Sequence, residues 1–182
     1  MSDPWLVVVD MQRVFADAEA SPWGMGADFD AIVPNVRALV DAYEGRVVMT
    51  RFVAPAEPQG AWVDYYRDWP FALEPSAAPL WEVVDVLAPA TGVPVVDAPT
   101  FGKWGPELLA ATGGSRRLDL CGVSTDCCVI TTALAAADAG CWVRVASDAC
   151  AGVTPADHQR ALDAMAMFPP QLTITTTAAL LA

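Results

Sequence analysis

Six short apolar runs recur along the chain: WLVVVD (5–10), RVVMTRFV (46–53), VPVVDAP (93–99), RLDLCGV (117–123), CWVRVASDA (141–149) and QLTITTT (171–177). They are nearly continuous in apolarity rather than alternating. A strand has that composition when both of its faces are buried, as in a parallel sheet. Helical patterns separate the runs near 32–44, 79–88, 105–112, 125–139 and 155–167. Ser, Asp or Thr precedes several of these, and Gly45, Gly92, Gly113 and Gly140 close four of the gaps. Strand–helix alternation with right-handed crossovers predicts a doubly wound α/β layer structure. The length, 182 residues, fits a single domain spanning 1–182. The stretch 54–78, rich in proline and aromatics, is too long for an ordinary connection and reads as a lid or binding excursion. There is no internal repeat and no low-complexity tract.

Composition removes several classes of function. A net charge of −12 argues against nucleic acid and anionic membranes as partners, since both require a basic face. No run reaches the ~18 apolar residues of a membrane span. The start, MSDPW, has neither the basic nor the apolar segment of a signal peptide, so a cytoplasmic location is expected. The apolar fraction of 54% is high for a chain of this size, and a homodimer or homotetramer would bury the excess. Five cysteines without regular spacing do not make a disulfide framework, and no pair has C-x-x-C spacing.

Ligands of open α/β sheets bind at the carboxyl ends of the strands. Those ends carry Asp10, Arg51, Asp97, the turn 122–128 and Asp148. The first strand is followed by DMQRVF rather than a glycine-rich loop, which disfavours a dinucleotide. The turn G-V-S-T-D-C-C-V opens a helix, with Ser124 or Thr125 available to cap it. A cysteine there feels the unpaired amides, which favour its thiolate and can hold an oxyanion. The structural alternative is that Cys127 and Cys128 are small core fillers. The single histidine, His158, lies in the polar stretch PADHQR and reads as part of a solvated face. A carboxylate must then take the proton of a nucleophilic thiol, and Asp10 is placed for it, unless it merely caps a helix. Lys103 is the only lysine beside nine arginines. Its compact ammonium suits pairing with a buried carboxylate and thiolate, or else it is a chance survivor on the surface.

VVVDMQRVF, a lysine after the third strand and CGVSTDCCVITTALAAADAGCWVRVASDACAG together resemble the isochorismatase-like cysteine hydrolases, which include nicotinamidases and N-carbamoylsarcosine amidohydrolase. The resemblance covers nearly the whole chain. It implies a three-layer αβα sandwich around a six-stranded, mostly parallel sheet of order 3-2-1-4-5-6. It also implies a triad of Asp10, Lys103 and Cys128, with Cys127 at a variable position that points elsewhere. A cis peptide between Val123 and Ser124 would shape an oxyanion hole together with Cys128. The family places its lysine at the end of the third strand, here Asp97 or Ala98. Lys103 comes five or six residues later, so either the loop folds back or the triad is incomplete; the first alternative is preferred. The loop TRFVAPAEPQG has none of the histidines that bind a divalent ion in nicotinamidases, so no metal and no other cofactor is expected.

Phe15, Trp62, Tyr65, Tyr66, Trp69 and Trp104 are candidates to wall a substrate pocket, or to pack a lid or a subunit contact. Arg51 and Arg67 could hold a substrate carboxylate, although surface ion pairs are the commoner use. Three functions fit: a metal-independent hydrolase of an amide, ureido or lactam C–N bond in a small molecule, acting through a thioester; an ether hydrolase of the isochorismatase type, which needs no thiol; and a non-catalytic binding or assembly protein.

Overall fold

A computed structural model describes residues 3–182. Six strands, β1 (Trp5–Val9), β2 (Val47–Phe52), β3 (Val95–Ala98), β4 (Arg117–Val123), β5 (Trp142–Ala151) and β6 (Leu172–Thr175), form one sheet of order 3-2-1-4-5-6. Every pairing is parallel. The central strand explains the composition of the first apolar run. Leu6, Val7, Val8 and Val9 are at most 1% exposed, and each buried side chain of this size contributes about 1.5–3 kcal/mol relative to exposure.

Seven helices complete the described residues: α1 (Arg13–Ala16), α2 (Ala27–Ala42), α3 (Trp62–Asp68), α4 (Pro106–Ala111), α5 (Ile130–Asp138), α6 (Pro155–Met165) and α7 (Thr177–Leu181). Helix α2 packs on β5, β4 and β1 and against α7, whereas α5 packs against α6 and over β5 and β6. Helices therefore cover both faces of the sheet, as in the expected sandwich. None is long and apolar enough to cross a membrane.

Several boundaries differ from the sequence expectation. Helix α2 begins at Ala27, five residues early, where Asp28 and Asp30 in its first turn complement the helix dipole. The helix expected near 79–88 is instead two 3-10 segments, Pro75–Trp81 and Asp85–Leu87. Between them Val83 makes an isolated bridge to Gln12, which takes the backbone out of helical geometry. The excursion at 54–78 is not open loop: it contains α3 and short 3-10 turns packed on a second apolar cluster that includes Phe52, Tyr66 and Trp81.

Candidate active site

Strand order reverses direction between β1 and β4, and a crevice forms where such a reversal occurs. Asp10 follows the end of β1 and is fully buried. Its φ of 48° lies in the left-handed region, where aspartate is one of the few side chains found regularly. Thr50 on β2 holds it there. The Thr50 hydroxyl accepts from the Asp10 amide at 3.2 Å and donates to Asp10 Oδ1 at 2.5 Å. Gln12, also buried, clamps the same corner: its side chain accepts from the Phe52 amide and donates to the Phe52 and Trp81 carbonyls.

Lys103 lies within this crevice. Its side chain is fully buried, with Nζ 2.9 Å from Asp10 Oδ2. The late position of the lysine is accommodated because the loop after β3 folds back over the site. The Lys103 amide donates to Thr132 Oγ1 on α5 at 2.9 Å, and that hydroxyl donates to the Cys128 carbonyl at 2.7 Å. One threonine thus fixes the lysine backbone to the cysteine backbone. The directed hydrogen bonds of the ammonium go to the Thr100 and Phe101 carbonyls at 2.5 and 3.1 Å. Its contact with Asp10 is ionic and off the hydrogen-bond line, so Asp10 Oδ2 is a buried oxygen with no hydrogen-bond donor among the described residues.

Beside Asp10, Gly122 near the end of β4 pairs with Val9. A Cβ at Gly122 would lie 2.1 Å from the Val9 carbonyl oxygen, and the residue has φ of 112°; only glycine fits. The peptide Val123–Ser124 is cis. A single π turn, Thr125–Val129, then leads into α5, with the Val129 amide donating to the Ser124 carbonyl at 3.0 Å. Neither candidate cap acts as one. Ser124 makes no side-chain capping bond, and the Thr125 hydroxyl instead meets His158 Nδ1 at 2.8 Å. His158 is therefore not on a solvated face: it is half-buried on α6 against the turn. Burial holds its imidazole below the ordinary value, with Asp126 opposing.

Both cysteines of the turn line one pocket, which corrects the expectation that Cys127 points elsewhere. Cys128 is buried and Cys127 half-buried. A hydrogen bond with Cys127, burial and the Asp10 charge hold the Cys128 thiol above its ordinary range, with Lys103 opposing. The same bond draws Cys127 below it, against burial and Asp126. Asp10 is the leading charge acting on Cys128, whereas Asp126 and Lys103 act on Cys127 ahead of it.

The pocket has a volume of about 330 Å³. Of the expected aromatics, Phe15, Tyr65 and Trp69 line it. Trp62 and Tyr66 stand behind that wall, with Trp62 packed on Phe101 at 4.9 Å between ring centroids. Trp104 is half-buried against the main core and takes no part. Sequence reasoning missed Trp23, Phe52 and Phe101, which also line the pocket. Phe52 ends β2 and was readable as such; Phe101 lies in the loop after β3 and Trp23 in a loop without a pattern. Of the other strand-end charges, Arg51 makes a paired bond to Asp97 at 2.8 Å and another to Glu82, and Asp148 accepts from the amide and hydroxyl of Thr177 at the start of α7. Arg67 pairs with Asp64 on the exposed side of α3. None of these three lines the cavity beside the cysteines.

The family model described as Isochorismatase domain matches residues 4–179. The chain belongs to the isochorismatase family of hydrolases. No curated protein sequence matches it. Among solved structures it is similar to a cysteine hydrolase from Pseudomonas syringae pv. phaseolicola 1448A, with 23% identity, 98% of this chain and 90% of that one covered, and a TM-score of 0.85. It is similar also to the nicotinamidase/pyrazinamidase of Bacillus subtilis (21% identity, 94% and 100% covered, TM-score 0.75). A third similar structure is the N-carbamoylsarcosine amidase of Thermoplasma acidophilum (20% identity, 97% of each chain, TM-score 0.75). At these identities the likeness is one of fold.

Proposed function

We propose that this protein is a metal-independent cysteine hydrolase that cleaves a C–N bond of a small amide, ureide or lactam through a thioester on Cys128. The observation that carries the reading is the buried Asp10–Lys103 pair at the strand ends, with one carboxylate oxygen left free of hydrogen-bond donors and acting electrically on Cys128. Thr50 donates to the second oxygen, which leaves the first as the acceptor with no hydrogen bond to give up. Family membership and the amidases among the similar structures support the C–N class.

In this mechanism the Cys128 thiol gives its proton to Asp10 Oδ2 as Sγ attacks the substrate carbonyl carbon. The Lys103 ammonium, 2.9 Å from Asp10, opposes the rise of the Cys128 thiol and so favours its thiolate. Amides around the Val123–Ser124 turn and Cys128 receive the oxyanion. Collapse breaks the C–N bond, the leaving nitrogen takes the proton from Asp10, and an acyl thioester remains. Water then attacks the thioester, with Asp10 taking its proton. The acid departs, and the proton returns to the thiolate.

The test is a panel of small amides and ureides, followed by ammonia or amine release and by mass spectrometry of rapidly quenched enzyme. An acyl adduct on Cys128 and loss of turnover in Cys128→Ala are expected. Full activity in that variant, or an adduct on Cys127, would refute the assignment.

A further inference from the structure

Resting on the hydrolase reading, we infer that the acyl group this site accepts is neutral, flat and rich in hydrocarbon, without a carboxylate or an ammonium group. The pocket wall carries the inference. Phe15, Trp23, Phe52, Tyr65, Trp69 and Phe101 supply its rings. Trp23 is the hub: it stacks on Phe15 at 6.2 Å and 13°, and meets Trp69 edge-on at 6.0 Å and Tyr65 at 5.9 Å. Aromatic faces and edges so arranged suit a planar ring by offset stacking and edge contacts. The polar residues on the wall, Tyr65, Ser124, Cys127 and Cys128, bear no fixed charge. Burial, followed by the neighbouring thiols, holds the Tyr65 phenol above its ordinary range, so it stays a neutral hydroxyl.

No charged side chain lines the cavity, and the cations nearest it are already paired. Arg51 is spent on Asp97 and Glu82, and Arg67 on Asp64. The ammonium of Lys103 is cancelled by Asp10 at 2.9 Å and bonded to two carbonyls. Asp126 accepts from the Val153 amide and is not among the residues that line the cavity. A charged substituent would enter a cavity of about 330 Å³ whose lining holds no charged side chain, and an unpaired charge in such surroundings is disfavoured.

The experiment compares three probes of similar shape: 4-methylbenzamide, 4-carboxybenzamide and 4-(aminomethyl)benzamide. The methyl compound should exceed both charged ones in kcat/KM by roughly 100-fold or more. In parallel, Cys128 is alkylated with iodoacetamide and with iodoacetate, each rate normalised to glutathione. The neutral reagent should be favoured about tenfold or more, and Trp69→Arg should erase that bias. This arm does not depend on turnover. A preserved bias with no amide hydrolysed would refute the hydrolase reading and leave the neutral pocket standing. Charged probes turned over within about threefold of the methyl compound would overturn the inference. So would a bias that is absent, or one that Trp69→Arg leaves intact and that therefore comes from the overall charge of the chain.

Discussion

Cys127 and Cys128 share one hydrogen bond, and this couples their ionisation. With Cys127 present the Cys128 thiol is held in its protonated form, first by that bond. Cys127→Ala removes the hydrogen-bond partner, so Cys128 should react with iodoacetamide at lower pH while turnover persists; an unshifted profile would mean the sulfurs do not interact in solution. Lys103 acts in the opposite sense. Lys103→Met should move Cys128 alkylation to higher pH, reduce turnover by orders of magnitude, and destabilise the fold by about 3–5 kcal/mol because Asp10 is left as an unpaired buried charge. The double variant Asp10→Asn/Lys103→Met should regain most of that stability in urea without regaining activity. If Lys103→Met has wild-type stability, the pair is not buried as described.

At the scale of elements, the turn before α5 is braced by α6 through Thr125 and His158. The fold favours neutral His158, whereas in the unfolded chain it takes a proton near the ordinary imidazole value of about 6.5. Acidification below that value therefore favours unfolding, and Tm should fall as the pH drops below about 6.5. In His158→Asn this part of the slope should vanish; an identical slope would assign it to other groups. The sequence disclosed β1, β4 and the turn because burial on two faces and a nucleophile motif leave local marks. It did not disclose the partnership of His158, since PADHQR is polar and only the packing of α6 on the turn brings the imidazole to Thr125. Nor did it show how Lys103 reaches Asp10. That depends on a threonine on α5, far along the chain and unremarkable in its own segment. For Trp62 and Tyr66 the lid-packing alternative holds rather than the pocket wall: on α3 the spacing reveals which residues are large and apolar, but not which row faces the cavity.

Over the whole molecule, no group of three or more His, Cys, Asp or Glu side chains among the described residues is arranged to hold a metal ion. EDTA should leave hydrolysis unchanged, and loss of activity restored by a divalent ion would contradict the proposed mechanism. The sheet order carries a different consequence. Its central strand, β1, pairs Leu6 with Asp119 and Val9 with Gly122, across most of the chain. As the polypeptide leaves the ribosome, the first strand it makes must wait for the fourth before one edge is satisfied, and so distant a pairing forms slowly. The aromatic cluster around Trp23 and Phe52 closes over a shorter span. A refolding chain would then bury Trp23, Trp62 and Trp81 before it could bring Asp10 beside Cys128, and their fluorescence would recover ahead of the reactive thiol.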